Sequence, residues 1–95
     1  MSPPADNPGG EEDLLEFPCR FPVKIMGRDG EAFRKAALAI MEVHAGPIAP
    51  EAVKSRSSRD GNFLALTVTI EASSREQLDA IYHDLSAHDD ILMAL

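Results

Sequence analysis

The chain has 95 residues and carries nine Lys and Arg side chains against sixteen Asp and Glu, which gives a formal net charge of −7. This length allows one domain, and the acidic balance argues against a general nucleic-acid binder, whose affinity comes largely from neutralising phosphates with basic side chains. Cys19 is the sole cysteine, so no intrachain disulfide forms and a reducing compartment is the default expectation.

Residues 1–13, MSPPADNPGGEED, contain almost no apolar side chain, and we predict that they form a disordered acidic tail. This segment holds four of the acidic residues, so the remaining domain, residues 14–95, has a net charge of −3. The start of the chain lacks the basic residues and apolar stretch of a signal peptide, and no run approaches the roughly 18 apolar residues of a membrane span. We therefore expect a cytoplasmic protein without membrane contact.

An apolar patch precedes the first predicted strand. Leu14, Leu15 and Phe17 end at Pro18, too soon for a helix, and we predict that they lie as a clasp against the domain. Over residues 21–26 the side chains alternate with a period of two, which is typical of a half-buried strand. One face of this strand carries Phe21, Val23 and Ile25, and the other carries Pro22, Lys24 and Met26.

A helix is predicted over residues 31–45, with Asp29 or Gly30 as its cap. Its apolar positions recur at steps of three and four residues, and they are Phe33, Ala36, Ala37, Ile40, Met41 and His44. Gly46 and Pro47 then end the helix.

The second half of the chain repeats strand and helix signals. Residues 52–57 predict a polar edge strand with Lys54 and Arg56 on one side, and Asp60 with Gly61 forms a turn into the strongest strand, residues 63–70. A capping box then begins a second helix that ends near His88, with either Ser73 and Glu76 or Ser74 and Gln77 as its partners. The apolar positions of this helix are Leu78, Ile81, Tyr82 and Leu85, and residues 91–95 form a last short strand.

The element order is therefore βαββαβ. Two split βαβ units with right-handed crossovers predict an α+β, ferredoxin-like two-layer sandwich. We expect a four-stranded antiparallel sheet of order 4-1-3-2, with both helices on one face and the other face open.

Three stretches resemble a known family: LLEFPCRFPVKIMG at 14–27, VKSRSSRDGNFLALTVTI at 53–70 and QLDAIYHDL at 77–85. The chain resembles the YbeD-like family of small bacterial proteins over nearly the whole domain, with the N-terminal tail outside the match. The resemblance implies a ferredoxin-like fold similar to amino-acid-binding regulatory domains of the ACT type. It implies no activity, because the role of the family is unassigned and a fold does not carry a function.

The candidate binding residues lie in two places. Lys24, Lys54 and Arg56 fall on the open face of the sheet, and Gly27 with Arg28 precedes the first helix, where backbone N–H groups and the helix dipole favour anions. These residues predict a regulatory or adaptor domain that binds a small anionic ligand or a protein partner, and a homodimer joined through sheet edges or open faces is a further expectation. In the plainer interpretation the cations keep an exposed sheet solvated and guard its edge.

No catalytic residue, cofactor or metal site is predicted, and we expect a protein that is not an enzyme. The three histidines, His44, His83 and His88, lack a usual ligand spacing, and no nucleophile, phosphate loop or paired carboxylates can be assembled. Two alternatives stay open. One is an anion-processing enzyme of acylphosphatase type that uses the loop 27–30, and the other is a weak RNA-binding module, although the open face lacks stacking aromatics on its central strands.

Overall fold

The computed structural model describes residues 15–95, so the predicted acidic tail and Leu14 lie outside the described residues. The elements in chain order are β1 (Cys19–Arg28), α1 (Glu31–Ala45), a 3₁₀ turn (Pro50–Ala52), β2 (Val53–Ser57), β3 (Phe63–Ala72), α2 (Arg75–Ala87) and β4 (Ile91–Ala94). The predicted βαββαβ order is confirmed.

The four strands form one antiparallel sheet of order β2-β3-β1-β4. This is the predicted 4-1-3-2 order, read from the opposite edge. β1 and β3 pair over ten positions, from Cys19 with Ala72 to Arg28 with Phe63. Both strands extend beyond the residues that predicted them, β1 by two residues at each end and β3 by two at its C-terminal end, because the two central strands hydrogen-bond to each other over their whole length.

The core lies between the sheet and the two helices. Every second residue is buried on the helix side from Val23 onward in β1 and along β3, including Val23, Ile25, Leu66 and Val68, each with no exposed surface. Apolar stripes of the helices cover them: Phe33, Ala37 and Met41 from α1, and Leu78, Ile81 and Leu85 from α2. Leu15 and Phe17 pack half-buried against this core, which agrees with the predicted clasp for the part of it that is described.

The ends of the helices follow their capping signals. Gly30 rather than Asp29 occupies the N-cap of α1, and no side chain caps that end. At α2 the Ser74 hydroxyl accepts the Gln77 N–H at 3.1 Å, while the Gln77 side-chain oxygen accepts the Ser73 N–H at 2.7 Å. Of the two predicted pairs, Ser74 and Gln77 are thus the N-cap and its partner, but the box is incomplete, because the Gln77 side chain accepts the N–H of Ser73 rather than that of Ser74.

Polar contacts join the two helices at their rim. The Gln77 side-chain amide donates to the His44 carbonyl oxygen at 2.9 Å, and His44 Nε2 lies 2.6 Å from Asp84 Oδ2. Hydrogen bonds from His44, and less strongly from His83, hold the pKa of the Asp84 carboxyl below its usual value. His44, predicted as the last residue of the inner face of α1, thus sits half-buried at the rim and contacts α2.

Candidate functional site

The open face of the sheet brings together three of the five predicted binding residues. Lys24 of β1 and Lys54 of β2 both lie opposite Thr67 of the intervening β3, so the two lysines flank one threonine in a row across the sheet. In the next row Arg56 and Met26 flank Ala65 in the same way. Because residues directly opposite each other point to the same face, the cations of β1 and β2 share one surface.

Charge is segregated between this open face and the rest of the domain. The four strands carry five basic side chains, Arg20, Lys24, Arg28, Lys54 and Arg56, and one acidic side chain, Glu71. Within residues 15–95 no polar or charged side chain is buried, and the helix-facing residues of β1 and β3 form the core. The open face is therefore basic although the domain as a whole is acidic.

The open face is also partly apolar and gently concave. One depression of about 450 Å³ is bordered by Lys24, Lys54 and Leu95, and a second, of about 500 Å³, lies toward Arg59 and Phe63. The two adjoin, since Met26, Arg56 and Ala65 border both. Met93 and Leu95 are about half to two-thirds exposed beside them. A surface with exposed apolar side chains between cations suits a partner that offers both an anion and an apolar group.

Arg28 and Gly27, the other two predicted binding residues, lie apart from that row. Arg28 ends β1 on the open face, and its guanidinium carbon sits 5.9 Å from the centre of the Phe63 ring, within reach of a cation–π interaction. Gly27 points to the helix side, where an added Cβ would lie 2.2 Å from the Phe33 ring and 2.7 Å from the Asp90 carbonyl oxygen. Close packing accounts for a glycine at this position, and a ligand contact there stays a prediction.

The loop 27–30 is joined to the turn between β2 and β3. The Asp29 N–H donates to the Asn62 carbonyl oxygen at 3.0 Å, and the Asn62 side-chain amide donates to Asp60 at 3.0 Å. The Ser58 hydroxyl, at 2.7 Å, and the Asn62 N–H lower the pKa of the Asp60 carboxyl. The side chain of Asn62 is therefore engaged within the turn. The acylphosphatase-type alternative, which uses the loop 27–30, stays a prediction.

Several residues of this surface were missed from the sequence. Met93 and Leu95 belong to it because β4 pairs with β1, which brings Met93 opposite Met26 and Leu95 into backbone contact with Lys24. Arg59 contributes from the turn, where its position before Asp60 and Gly61 was an available signal. No three His, Cys, Asp or Glu side chains among the described residues approach one another as metal ligands. Neither described helix is both long and apolar enough to span a membrane.

Comparisons with known proteins give the family context. Residues 12–95 match a family described as a protein of unknown function, DUF493. A UPF0250 protein of Nitrosomonas europaea is 44% identical over 90% of this chain and 98% of its own, and one of Chromobacterium violaceum is 46% identical over 90% and 96%. The solution structure of HP0495 from H. pylori aligns with a TM-score of 0.61 at 17% identity and covers 85% of each chain, which supports the fold alone.

Proposed function

Because the chain belongs to the DUF493 or UPF0250 family of small bacterial proteins of unknown function, the YbeD-like family, we propose its role from the properties of its own surface. The proposed role is that of a non-catalytic regulatory or adaptor domain whose open sheet face binds an anionic partner. The observation that carries the proposal is the concentration of five basic side chains and one acidic side chain on the strands of an otherwise acidic domain. Charges that only keep the surface solvated would have the same net sign as the domain, which is negative. The net charge of the strand residues is positive instead.

A binding role fits the surface better than a catalytic one. Lys24, Lys54 and Arg56 are exposed cations. The two depressions beside them are otherwise bordered by Arg59 and by Met, Thr, Ala, Ser, Leu and Phe side chains, with no His, Asp or Glu to act as a base. RNA binding is the weaker alternative, because Ala65 and Thr67 lie where a base-stacking module has aromatic rings. Steep weakening with salt accompanied by binding to single-stranded RNA would favour that alternative.

The test is thermal unfolding of the full chain against a panel of amino acids, nucleotides, phosphorylated metabolites and polyglutamate. A ligand that binds the folded state at 100 times its Kd adds about 2.7 kcal/mol of stability. For a domain of this size such a gain raises Tm by roughly 10 °C or more. We expect at least one anionic member of the panel to raise Tm and its effect to fall in Lys24→Ala and Lys54→Ala.

Lys35→Ala is the matched control, since Lys35 is an exposed lysine on α1 rather than on the sheet. It removes the same charge from the protein but leaves the open face intact. A Tm gain that falls equally in Lys35→Ala would reflect net charge and contradict a site on the open face. No gain from any anion, polyglutamate included, would sink the proposed function.

A further inference from the structure

β2 presents an open edge of the sheet. On one side β2 pairs with β3, and no described residue pairs with its other side. The Ser58 N–H donates to the Phe63 carbonyl oxygen at 2.8 Å, so by the alternation of antiparallel ladders Arg56 and Lys54 also direct their backbone groups toward β3. Ser55 and Ser57 consequently direct their backbone N–H and C=O groups outward, which is the template that an added strand needs.

An apolar groove runs along the helix side of this edge. Helix-facing residues are buried along β3 and from Val23 onward in β1, but in β2 Val53 is only half-buried and Ser55 is exposed. With Leu38, Ile48 and Pro50 these two residues border a groove of about 310 Å³ between α1 and the edge, and Arg34 and Glu42 of α1 supply one charge of each sign at its border. Side chains of an added strand that point to the helix side would cover Leu38, Ile48 and Val53.

The opposite side of the same edge is cationic. Lys54 and Arg56 are exposed on the open face, one residue before and one residue after Ser55. Neighbouring residues of paired strands stand side by side on each face, and opposite charges there are favourable. An added strand therefore meets an apolar groove on one face and two cations on the other, which calls for alternating apolar and acidic side chains.

A second copy of the chain fits this edge poorly. Pairing two β2 strands antiparallel about Ser55 would bring Lys54 of each copy opposite Arg56 of the other, and like charges directly opposite each other are destabilising. The same two cations that oppose self-pairing attract an acidic strand. Charge complementarity thus selects a different, acidic partner over a homodimer through β2.

We infer that the partner is an extended segment of another protein with alternating acidic and apolar residues, which adds to the outer edge of β2 as a fifth strand of the sheet. Its acidic side chains lie beside Lys54 and Arg56, its apolar side chains enter the groove at Leu38 and Ile48, and its backbone bonds to Ser55 and Ser57. The inference rests on the proposed function, because it uses the cations at the border of the open face and names the kind of anion they bind.

The probe is a fluorescein-labelled ten-residue peptide in which Glu and Val alternate. Its two controls are a peptide of the same composition with the Glu and Val residues in separate blocks, and an alternating peptide with Lys in place of Glu. We expect fluorescence anisotropy to give at least tenfold tighter binding of the alternating Glu peptide than of either control. Hydrogen exchange should slow at the Ser55 and Ser57 amides in the complex, since those amides become bonded.

Ser55→Pro separates the edge site from the open face, with Ser55→Ala as its matched control. Proline removes the outward N–H at an edge position, where the sheet tolerates it, while alanine keeps the N–H and loses only the hydroxyl. We expect Ser55→Pro to weaken peptide binding at least tenfold, and Ser55→Ala to retain it. The Tm response to the anion of the panel that acts through Lys24 should persist in both variants.

Two results would overturn the edge site and leave the proposed function standing. One is equal affinity for the alternating and block Glu peptides, and the other is unchanged exchange at Ser55 and Ser57 when the peptide is bound. If Ser55→Pro fails to fold, N-methylated peptides test the backbone hydrogen bonds to Ser55 and Ser57 on the unaltered protein. One peptide is methylated at every Val and the other at every Glu. If both bind as tightly as the unmethylated peptide, the inference is overturned. No Tm gain from any anion of the panel would instead mark failure of the proposed function.

Discussion

The two faces of the sheet are made by the same strands and have opposite characters. In β3, Leu66 and Val68 face the helices and have no exposed surface, whereas Thr67 between them faces outward and is half-buried. In β1, Ile25 is fully buried and its neighbour Lys24 is exposed. Successive residues of a strand point to opposite faces, so one short segment meets two different demands.

The helix-facing side chains stabilise the fold, whereas the outward-facing side chains are accessible to a partner. Burial of apolar surface supplies the main favourable term in folding, and here it comes from the helix-facing side of the sheet. The open face adds little to that burial, and its residues are constrained chiefly by their strand conformation. A cluster of cations on the open face therefore lowers the stability of the fold little, and this face is free to carry the proposed binding surface.

The largest effect that tests this comparison is loss of a side chain from the inner face. Leu66→Ala removes a fully buried side chain from the central strand and should lower the free energy of unfolding by about 2–5 kcal/mol. Thr67→Ala, one residue along on the open face, should cost less than about 1 kcal/mol. Urea unfolding of both variants gives the two values, and similar losses would contradict the separation of the two faces.

A smaller loss is expected from overfilling the inner face at β1. Gly27→Ala places a methyl group closer than van der Waals contact to the Phe33 ring and to the Asp90 carbonyl oxygen. Overpacking of this kind costs about 1–3 kcal/mol. Arg28→Ala is the control, because Arg28 is the next residue of the strand and faces outward. Denaturant midpoints that fall equally for both variants would show that the close packing at Gly27 has no special weight.

The fold was predictable from the sequence because each of its signals is local. The alternation in β1 and β3, the three- and four-residue steps of α1, and the serine that caps α2 each depend on residues close in the chain. Handedness then leaves few topologies for a βαββαβ order. The 3₁₀ turn Pro50–Ala52 was missed because its residues carry no periodic apolar signal, and the two ends of β1 were missed because their length follows from pairing with β3.

The candidate site was predictable only in part. Lys24, Lys54 and Arg56 were found because a strand pattern assigns each residue to a face. Which cations become neighbours depends on register. The row of Lys24, Thr67 and Lys54 comes from the pairing of Thr67 with Lys24, far away in the sequence, and with Lys54 across the β2–β3 turn. Leu38, Ile48 and the outer edge of β2 likewise come together only through tertiary packing, and no local pattern marks them as one groove.

The smallest expected effect on stability comes from the charge of Asp84, at the rim where α1 and α2 meet. The pKa of Asp84 is lowered by its hydrogen bonds to His44 and His83, so its contribution is fully present above its unfolded value near 3.8 and is lost as pH falls through the lower folded value. We expect Asp84→Asn to destabilise the protein at neutral pH, and the gap to wild type to close as pH falls below 3.8. Urea unfolding across this pH range measures the difference in the free energy of unfolding between variant and wild type. The control is Asp79→Asn, because Asp79 pairs with Arg75 within the same helix. A gap that stays constant with pH would mean that the Asp84 carboxylate stabilises nothing at this rim through its charge.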